Sequence, residues 1–213
     1  PQAAFLLVDD TLAALRQLGR KHRSQYQIPV VGITGSNGKT VVKEWLAQLL
    51  APDKRVARSP RSYNSQVGVP LSVWQIDEAT DIALIEAGIS RMGEMKRLQR
   101  IIRPTIGLLT NLGGAHQENF VSELDKCREK LELCRDCEVV IYNNDDPLIA
   151  QAVELSVQTA REIAWSRQNS DKPLYIASVA KGENSTTIRY NYLGLPGEYT
   201  IPFTDEASVE NSI

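Results

Sequence analysis

The sequence predicts an α/β protein with a mostly parallel sheet flanked by helices, a phosphate-binding loop and a small antiparallel β meander near the C-terminus. Short runs that are apolar throughout alternate with helical patterns, as in parallel sheets covered on both faces. Several of these runs end in a polar residue, and ligands of such sheets bind beyond the carboxyl ends of the strands. The first run enters the glycine-rich stretch TGSNGKT, which predicts a ligand that carries phosphate.

The N-terminal part contains a helix, a strand and a second helix in that order. Within residues 5–23, Leu12, Leu15 and Leu18 recur at helical spacing behind Asp9 or Asp10 as the capping residue. Residues 28–33 form a short apolar strand before the glycine-rich turn, and residues 41–50 continue as a helix toward a proline. Strand, loop and helix is the order that a phosphate loop requires.

The middle of the chain supplies three further strands with helices between them. The strands are predicted at 82–85, 106–110 and 139–142, and they are followed by Glu86, Asn111 and Asn143. Helical patterns cover 93–102, before a proline, and 122–137. This alternation is typical of a parallel sheet.

The sequence pattern changes from Pro173 onward. The short alternating runs PLYIASVA, TTIRYNYL and EYTIPF are separated by the turn sequences Gly182–Asn184 and Gly194–Gly197, which predicts the antiparallel meander. The last stretch, FTDEASVENSI, has the pattern of the beginning of a further helix.

Composition excludes several classes of function. The chain has 213 residues, 42% of them hydrophobic, which is enough for a good core. Its 24 basic and 26 acidic residues nearly balance, and no basic run is interleaved with aromatic residues, so we expect no nucleic-acid partner. We expect no membrane insertion and a cytoplasmic location, because no run of about 18 apolar residues occurs and PQAAFLLVDD lacks the pattern of a signal peptide.

Three cysteines lie within eleven residues, and Cys134-x-x-Cys137 has the spacing of a redox pair or of half a zinc site. No second pair of metal ligands with suitable spacing occurs, however. Leu124, Cys127, Leu131 and Cys134 recur at steps of three and four, which favours buried thiols on the apolar stripe of a helix.

The glycine-rich loop carries the strongest functional signal. Gly35 and Gly38 permit the backbone to turn its N–H groups around an anion, Lys39 supplies a positive charge, and Thr40 offers a hydroxyl to Mg²⁺. A standard loop of this type has glycine where Ile33 stands, so we interpret the stretch as a variant loop that binds nucleotide.

Other candidate residues each have a functional and a structural interpretation. Glu86, at the end of a buried strand, is placed to hold Mg²⁺ or to cap the next helix. His116, in TNLGGAHQENF, is either a metal ligand or a structural histidine. By composition alone, Lys130 is a solvated lysine paired with a neighbouring glutamate. The stretch NNDDP, at 143–147, suits contacts to an adenine edge or a ribose, but these residues also favour a plain turn.

Six separated motifs together resemble the central ATPase domain of the Mur ligases. They are TGSNGKT, SYNSQVGVPLS, IEAGIS, TNLGGAHQENF, REKLEL and NNDDP. The resemblance implies ATP-dependent acid–amine ligation with Mg²⁺, in which the γ-phosphoryl group of ATP activates a carboxylate as an acyl phosphate for attack by an amine. Asn64-x-x-x-Gly68-Val69-Pro70 and the GGAHQENF run are most similar to the member whose substrates are UDP-N-acetylmuramoyl-tripeptide and D-alanyl-D-alanine, in peptidoglycan synthesis.

The resemblance also implies roles for individual residues. It implies catalytic roles for Lys39, Glu86, His116 and Lys130. Lys130 stands at the position of a lysine that is carbamylated in several relatives. Metal ligation falls on Thr40, Glu86 and His116. Nucleotide contacts fall on Gly35, Ser36, Asn37, Gly38, Lys39, Thr40, Asn64, Asn143 and Asp145.

By the same resemblance, residues 1–27 lead in from a missing N-terminal domain, 28–204 form the ATP-binding domain, and 205–213 begin a helix toward a missing C-terminal domain. Many relatives carry a His-Asn pair where this chain has Ala207 and Ser208 ahead of Asn211. We expect a monomer that is nearly inactive without the other domains. The alternatives are another ligase of the superfamily, such as the folylpolyglutamate type, a phosphate-loop kinase or nucleotide switch, and a non-catalytic binding module.

Overall fold

One nine-stranded sheet organises the protein, and the computed structural model describes residues 5–113 and 119–213 of it. The order of the strands across the sheet is β2-β3-β1-β4-β5-β6-β7-β8-β9. In chain order they are β1 Val30–Thr34, β2 Val56–Arg58, β3 Ile82–Glu86, β4 Ile106–Leu109, β5 Val139–Asn143, β6 Arg161–Ser166, β7 Leu174–Lys181, β8 Thr186–Tyr192 and β9 Leu195–Ile201.

Helices connect and cover these strands. They are α1 Thr11–Arg23, α2 Lys39–Leu50, α3 Gly68–Val73, α4 Glu94–Ile102, α5 Glu123–Leu131, α6 Pro147–Ser156 and α7 Glu206–Ser212, with a short 3-10 helix at Glu132–Cys134. The predicted cap of the first helix is confirmed at Asp10, whose carboxylate accepts hydrogen bonds from the N–H groups of Leu12 and Ala13.

The parallel part of the sheet has β1 at its centre. All five residues of β1 are buried, and the strand pairs in parallel with β3 on one side and β4 on the other. Apolar side chains cover both faces of these central strands, which explains why their sequences show no alternation. The carboxyl ends of β3, β1 and β4 therefore lie side by side at one edge of the sheet.

The C-terminal meander is confirmed, but it continues the main sheet. Its first strand, β7, pairs in parallel with β6, and β8 and β9 then add in antiparallel order. The turn predicted at Gly194–Gly197 is shorter than expected, since β9 begins at Leu195. Leu193 and Gly194 have φ of 52° and 88°, the two positive values that close a tight two-residue hairpin.

Several elements differ from the sequence prediction for identifiable reasons. The helix predicted over 122–137 ends at Leu131 and tightens into the 3-10 turn, while α2 begins at Lys39, two residues early. Strand β2, helix α3, helix α6 and strand β6 have no counterpart in the prediction. The first two have three and six residues, too short for a periodic pattern, and α6 begins at the proline of NNDDP, a sequence that also favours a turn.

Helix α1 packs against α3 and α4 on one side of the sheet. The buried guanidinium of Arg23 ties the end of α1 to the end of α4, since its Nε donates to the Ile102 carbonyl at 2.8 Å and Nη2 donates to the Arg103 carbonyl at 3.2 Å. A β-carbon added at Gly19 would lie 3.1 Å from Pro70, so the close approach of α1 and α3 depends on that glycine. Whether 1–27 belongs to a different domain stays a prediction.

The predicted burial of the cysteines is confirmed. Cys127, Cys134 and Cys137 are buried, and none of them forms a disulfide. Cys134 fits against β4 because Gly107 has no side chain, and a β-carbon added at Gly107 would lie 2.4 Å from the Cys134 Sγ.

Within the described ranges, no helix has the length and apolar character needed to cross a membrane.

Candidate functional site

The candidate site lies where the carboxyl ends of β1, β3 and β4 meet. The loop 35–38 follows β1 and leads into α2, Glu86 is the last residue of β3, and Thr110 and Asn111 follow β4. The fold thus brings together residues from three separate stretches of the chain, as expected at the switch point of an open parallel sheet.

The two loop glycines have conformations and neighbours that a side chain would disturb. Gly35 has φ of 138° and Gly38 has φ of 80°. A β-carbon at Gly35 would lie 2.0 Å from the Thr110 hydroxyl oxygen, and one at Gly38 would lie 2.2 Å from the Asn211 Oδ1. The loop therefore needs glycine at both positions for its backbone path and for its packing against β4 and α7.

Hydrogen bonds from the end of β4 hold the loop in place. The Ser36 N–H donates to the Asn111 carbonyl at 2.9 Å, and the Asn37 N–H donates to the Asn111 Oδ1 at 3.0 Å. The Thr110 hydroxyl donates to the Asn37 carbonyl at 2.6 Å. Ser36 and Asn37 thus use their N–H groups to shape the loop, which leaves the N–H groups of the first turn of α2 to face a ligand. Helix α2 has no side-chain cap within the described residues, so its N-terminus is suited to an anion.

Lys39 folds back over the loop that precedes it. Its ammonium donates to the Gly35 carbonyl at 2.8 Å and to the Ser36 carbonyl at 3.1 Å. Burial lowers the pKa of Lys39 from its ordinary value, and the negative charge of Glu86 opposes that fall. The side chain is positioned to supply positive charge at the mouth of the loop.

Lys130 lies beneath the loop, and its interpretation as a solvated lysine is wrong. Its side chain is buried, and Nζ donates to the Gly35 carbonyl at 3.0 Å. Burial is the main reason that the pKa of Lys130 falls to about 8, and the positive charges of Lys39 and Lys126 lower it further. About a tenth of this amine is therefore uncharged at pH 7, and the uncharged amine is the form that reacts with carbon dioxide.

Lys126 is a third lysine at the site, and none of the sequence motifs includes it. It is buried, and its ammonium donates to the Gly113 carbonyl at 2.5 Å. A signal was available, because Lys126 and Lys130 stand four residues apart and so share one face of α5. Together with Lys39 they concentrate positive charge around the loop.

Glu86 is fully buried and does not cap the following helix, so the capping interpretation is wrong. Its Oε2 accepts from the Thr40 hydroxyl at 3.1 Å and from the Asn64 amide at 3.4 Å. Its Oε1 forms an ion pair with Lys43 at 3.0 Å. The residue that precedes α4 at its N-cap is Gly93, and the Glu94 carboxylate accepts hydrogen bonds from the N–H groups of Ser90 and Arg91.

Thr40 and Glu86 fit a magnesium ion. Mg²⁺ takes oxygen ligands at 2.0–2.1 Å in an octahedron, so adjacent ligands stand about 3 Å apart, close to the observed 3.1 Å between the two side-chain oxygens. Across the described residues, no three His, Cys, Asp or Glu side chains cluster to form a metal site. Two protein ligands, Thr40 and Glu86, are sufficient in a nucleotide site, because phosphate oxygens and water supply the remaining ligands of Mg²⁺.

Lys43 is the other residue that the sequence analysis missed at this site. It is fully buried in the second turn of α2 and contacts the Glu86 carboxylate directly. A lysine on a helix is ordinarily solvated, so neither composition nor periodicity distinguishes it.

The segment 143–147 is locally ordered by its own side chains. The Asn143 Oδ1 accepts from the Asp145 N–H at 2.8 Å, which is the turn geometry that these residues favour. The Asp145 carboxylate accepts from the Ser166 hydroxyl and from the Arg167 N–H, the latter at 2.7 Å, and so joins the ends of β5 and β6. Contacts from Asn143 and Asp145 to a nucleotide stay a prediction. His116 lies outside the described residues.

Comparison with known protein families matches residues 33–213 to the Mur ligase middle domain. A UDP-N-acetylmuramoyl-tripeptide--D-alanyl-D-alanine ligase of Bacillus subtilis is 30% identical over 213 residues, which are 99% of this chain and 45% of that protein. A ligase with the same name from a Synechocystis species is 32% identical over 184 residues, 85% of this chain and 39% of that protein.

Solved structures give the same picture. A crystal structure of MurF from Acinetobacter baumannii superimposes with a TM-score of 0.87 at 26% identity, covering 97% of this chain and 46% of that one. The chain therefore spans less than half the length of these relatives.

Proposed function

The chain belongs to the Mur ligase family, whose middle domain it matches, and we propose that it is the ATP-binding part of the ligase that joins D-alanyl-D-alanine to UDP-N-acetylmuramoyl-tripeptide. One structural observation carries the ATP-binding part of this proposal, and the substrates follow the names of the curated relatives. A glycine-rich loop with Lys39 at its mouth stands beside the Thr40–Glu86 pair, at the sheet edge where ligands of this fold class bind. We propose further that the protein is a cytoplasmic monomer.

The reaction needs an activated carboxylate. The carboxylate oxygen of the tripeptide would attack the γ-phosphorus of ATP, the bond to ADP would break, and an acyl phosphate would result. The amine of D-alanyl-D-alanine would then attack the acyl carbon, lose a proton and expel inorganic phosphate. Phosphoryl transfer depends mainly on positioning and on neutralisation of charge, which suits the positive charges of Lys39 and Lys126 beside the loop.

Individual residues would contribute as follows. Lys39 would leave its two carbonyl partners to contact the β- and γ-phosphates, and the first turn of α2 would donate N–H groups to them. Thr40 and Glu86 would hold Mg²⁺, and we propose that His116 helps to bind a second ion. When bound, Mg²⁺ would neutralise charge on the phosphate oxygens. Asn64 orients Glu86, and carbamylated Lys130 would replace a buried cation with an anion able to face metal.

We also propose the domain limits of 1–27, 28–204 and 205–213, with the remaining domains supplying the substrate sites. The existence of further domains is supported by the length of the Bacillus subtilis relative, of which this chain covers 45%. Asn143 and Asp145 would contact the adenine and ribose from the end of β5.

Nucleotide binding is the first test. Lys39→Ala is expected to weaken binding of a fluorescent ATP analogue strongly, because the mouth of the loop loses its positive charge. Lys54→Ala removes an exposed lysine after α2 and serves as the matched control, so its affinity should equal that of the unmodified protein. Equal affinities for all three proteins would refute the assignment of the site.

Ligation is the second test, and it requires a protein with all the domains of the relatives. ADP release should depend on both UDP-N-acetylmuramoyl-tripeptide and D-alanyl-D-alanine, and amide product should accumulate. Turnover that needs no amine would favour a kinase or nucleotide switch instead. Efficient amide formation by the 213 residues alone would contradict the proposed domain requirement.

A further inference from the structure

Lys43 connects three parts of the site through one buried ammonium group. Its Nζ lies 3.0 Å from the Oε1 of Glu86 and 3.1 Å from the Oε1 of Glu44. It also donates to the Ser59 carbonyl at 2.7 Å and to the Arg61 carbonyl. Lysine is almost never fully buried unless it is paired, and here the pairing converges on the proposed metal ligand.

The two oxygens of Glu86 have different surroundings as a result. Among the described residues, Oε1 accepts no hydrogen bond and lies 3.0 Å from the Lys43 ammonium as an ion pair. Oε2 accepts from the Thr40 hydroxyl at 3.1 Å and from the Asn64 amide at 3.4 Å. A cation that binds beside Thr40 therefore meets Oε2, while Oε1 faces the buried ammonium of Lys43. Rotation of the carboxylate to present both oxygens would break a buried ion pair, which is strongly unfavourable.

We propose that Lys43 is a positioning residue that restricts Glu86 to one-oxygen coordination and thereby makes the site selective for Mg²⁺ over larger cations. This inference rests on the proposed nucleotide function. Mg²⁺ requires a compact octahedron with single-oxygen ligands, while Ca²⁺ takes six to eight oxygens and accepts a carboxylate through both. With Oε1 paired to Lys43, Glu86 supplies one oxygen, which satisfies Mg²⁺. Ca²⁺ would receive one ligand fewer than a carboxylate that binds through both oxygens provides.

The same ammonium also fixes the approach of Asn64 to Glu86. Ser59 and Arg61 precede Asn64 on one connection, and both of their carbonyls are bound to Lys43. Arg61 has φ of 49°, a conformation that a non-glycine residue adopts at a cost and that needs support from its surroundings. Loss of Lys43 would therefore free the carboxylate and loosen the segment that carries its amide partner.

The test compares metal preference rather than activity. The Mg²⁺ and Ca²⁺ concentrations that half-saturate binding of a non-hydrolysable ATP analogue are measured for the unmodified protein, Lys43→Met and Lys43→Gln. The ratio of Ca²⁺ to Mg²⁺ affinity should rise about tenfold in Lys43→Met, which corresponds to about 1.4 kcal/mol. It should rise less in Lys43→Gln, whose amide keeps a polar donor near Oε1. Glu44→Gln is the matched control, because it removes the other carboxylate partner of Lys43 without touching Glu86, and its ratio should not change.

An unchanged ratio in a folded Lys43→Met protein would overturn the inference and leave the proposed function intact. Metal-independent nucleotide binding by the unmodified protein would instead contradict the proposed metal site. If neither variant folds, a structure of the unmodified protein with Ca²⁺ and the analogue decides. Coordination through Oε2 alone supports the restriction by Lys43, and coordination through both oxygens refutes it.

Discussion

Lys130 gives the sharpest prediction about stability and pH. Its pKa falls from an ordinary 10.5 to about 8 in the folded protein, chiefly because burial penalises the charged amine. That fall corresponds to about 3 kcal/mol of unfavourable free energy at pH values below 8, where the amine is protonated in both the folded and the unfolded states. The penalty fades as the pH rises from 8 to 10.5, because the folded protein releases its proton first. Lys130 should therefore make the free energy of unfolding increase with pH over this range.

Replacement of Lys130 by methionine removes this titration and keeps most of the side-chain volume. The free energy of unfolding is measured by urea denaturation at pH 7 and pH 10 in buffers free of carbon dioxide, so that the amine stays uncarbamylated. The stability of Lys130→Met relative to the unmodified protein should be greater at pH 7 than at pH 10, by up to about 3 kcal/mol. Lys54→Met, at an exposed position, should show no such difference. A constant difference between the unmodified protein and Lys130→Met at both pH values would refute the reasoning.

Two further predictions concern the contacts that hold the loop and the strand ends. A non-glycine residue in the left-handed conformation of Gly38 costs roughly 1–2 kcal/mol. Gly38→Ala should lower the free energy of unfolding by more than that, because its β-carbon would also clash with Asn211. In an Asn211→Ala background the clash is absent, so the cost of Gly38→Ala should fall to that value. Equal costs in both backgrounds, measured by thermal unfolding, would contradict the contact. Asp145→Ala should lower the free energy of unfolding by about 2 kcal/mol, because the Arg167 N–H loses a charged partner. Asp171→Ala, in the following turn, should lower it far less. Similar decreases for both variants in urea denaturation would contradict this prediction.

Local sequence signals were sufficient for the framework of the site. Glycines flanked by a strand and a helix specify the loop, and the apolar run before Glu86 predicts a strand that delivers its carboxylate to the sheet edge. The Mur ligase resemblance, carried by six short motifs, was confirmed by the match over residues 33–213. These features depend on residues close together in the chain, where pattern and chemistry coincide.

The surroundings of the lysines could not be predicted in the same way. Lys43 is buried because β3 and the segment after β2 fold over α2, and Lys130 is buried because α5 packs under the loop. Both environments arise from contacts between residues far apart in sequence, whereas the usual expectation for lysine is exposure. The continuation of the sheet into the meander is missed for a related reason, since the pairing of β6 with β7 is encoded in neither strand alone.

The central position of β1 has a consequence for folding. The strand is made early, but its neighbours β3 and β4 come from residues 82–86 and 106–109, and the loop is held by Thr110 and Asn111. A nascent chain that ends before residue 111 thus lacks the partners that shape the phosphate loop, even though the loop and α2 have already been synthesised. Such non-local pairing is slow to form, so the phosphate loop would take its shape only after β3 and β4 have joined β1. Nucleotide that binds the folded site would then stabilise the domain by mass action.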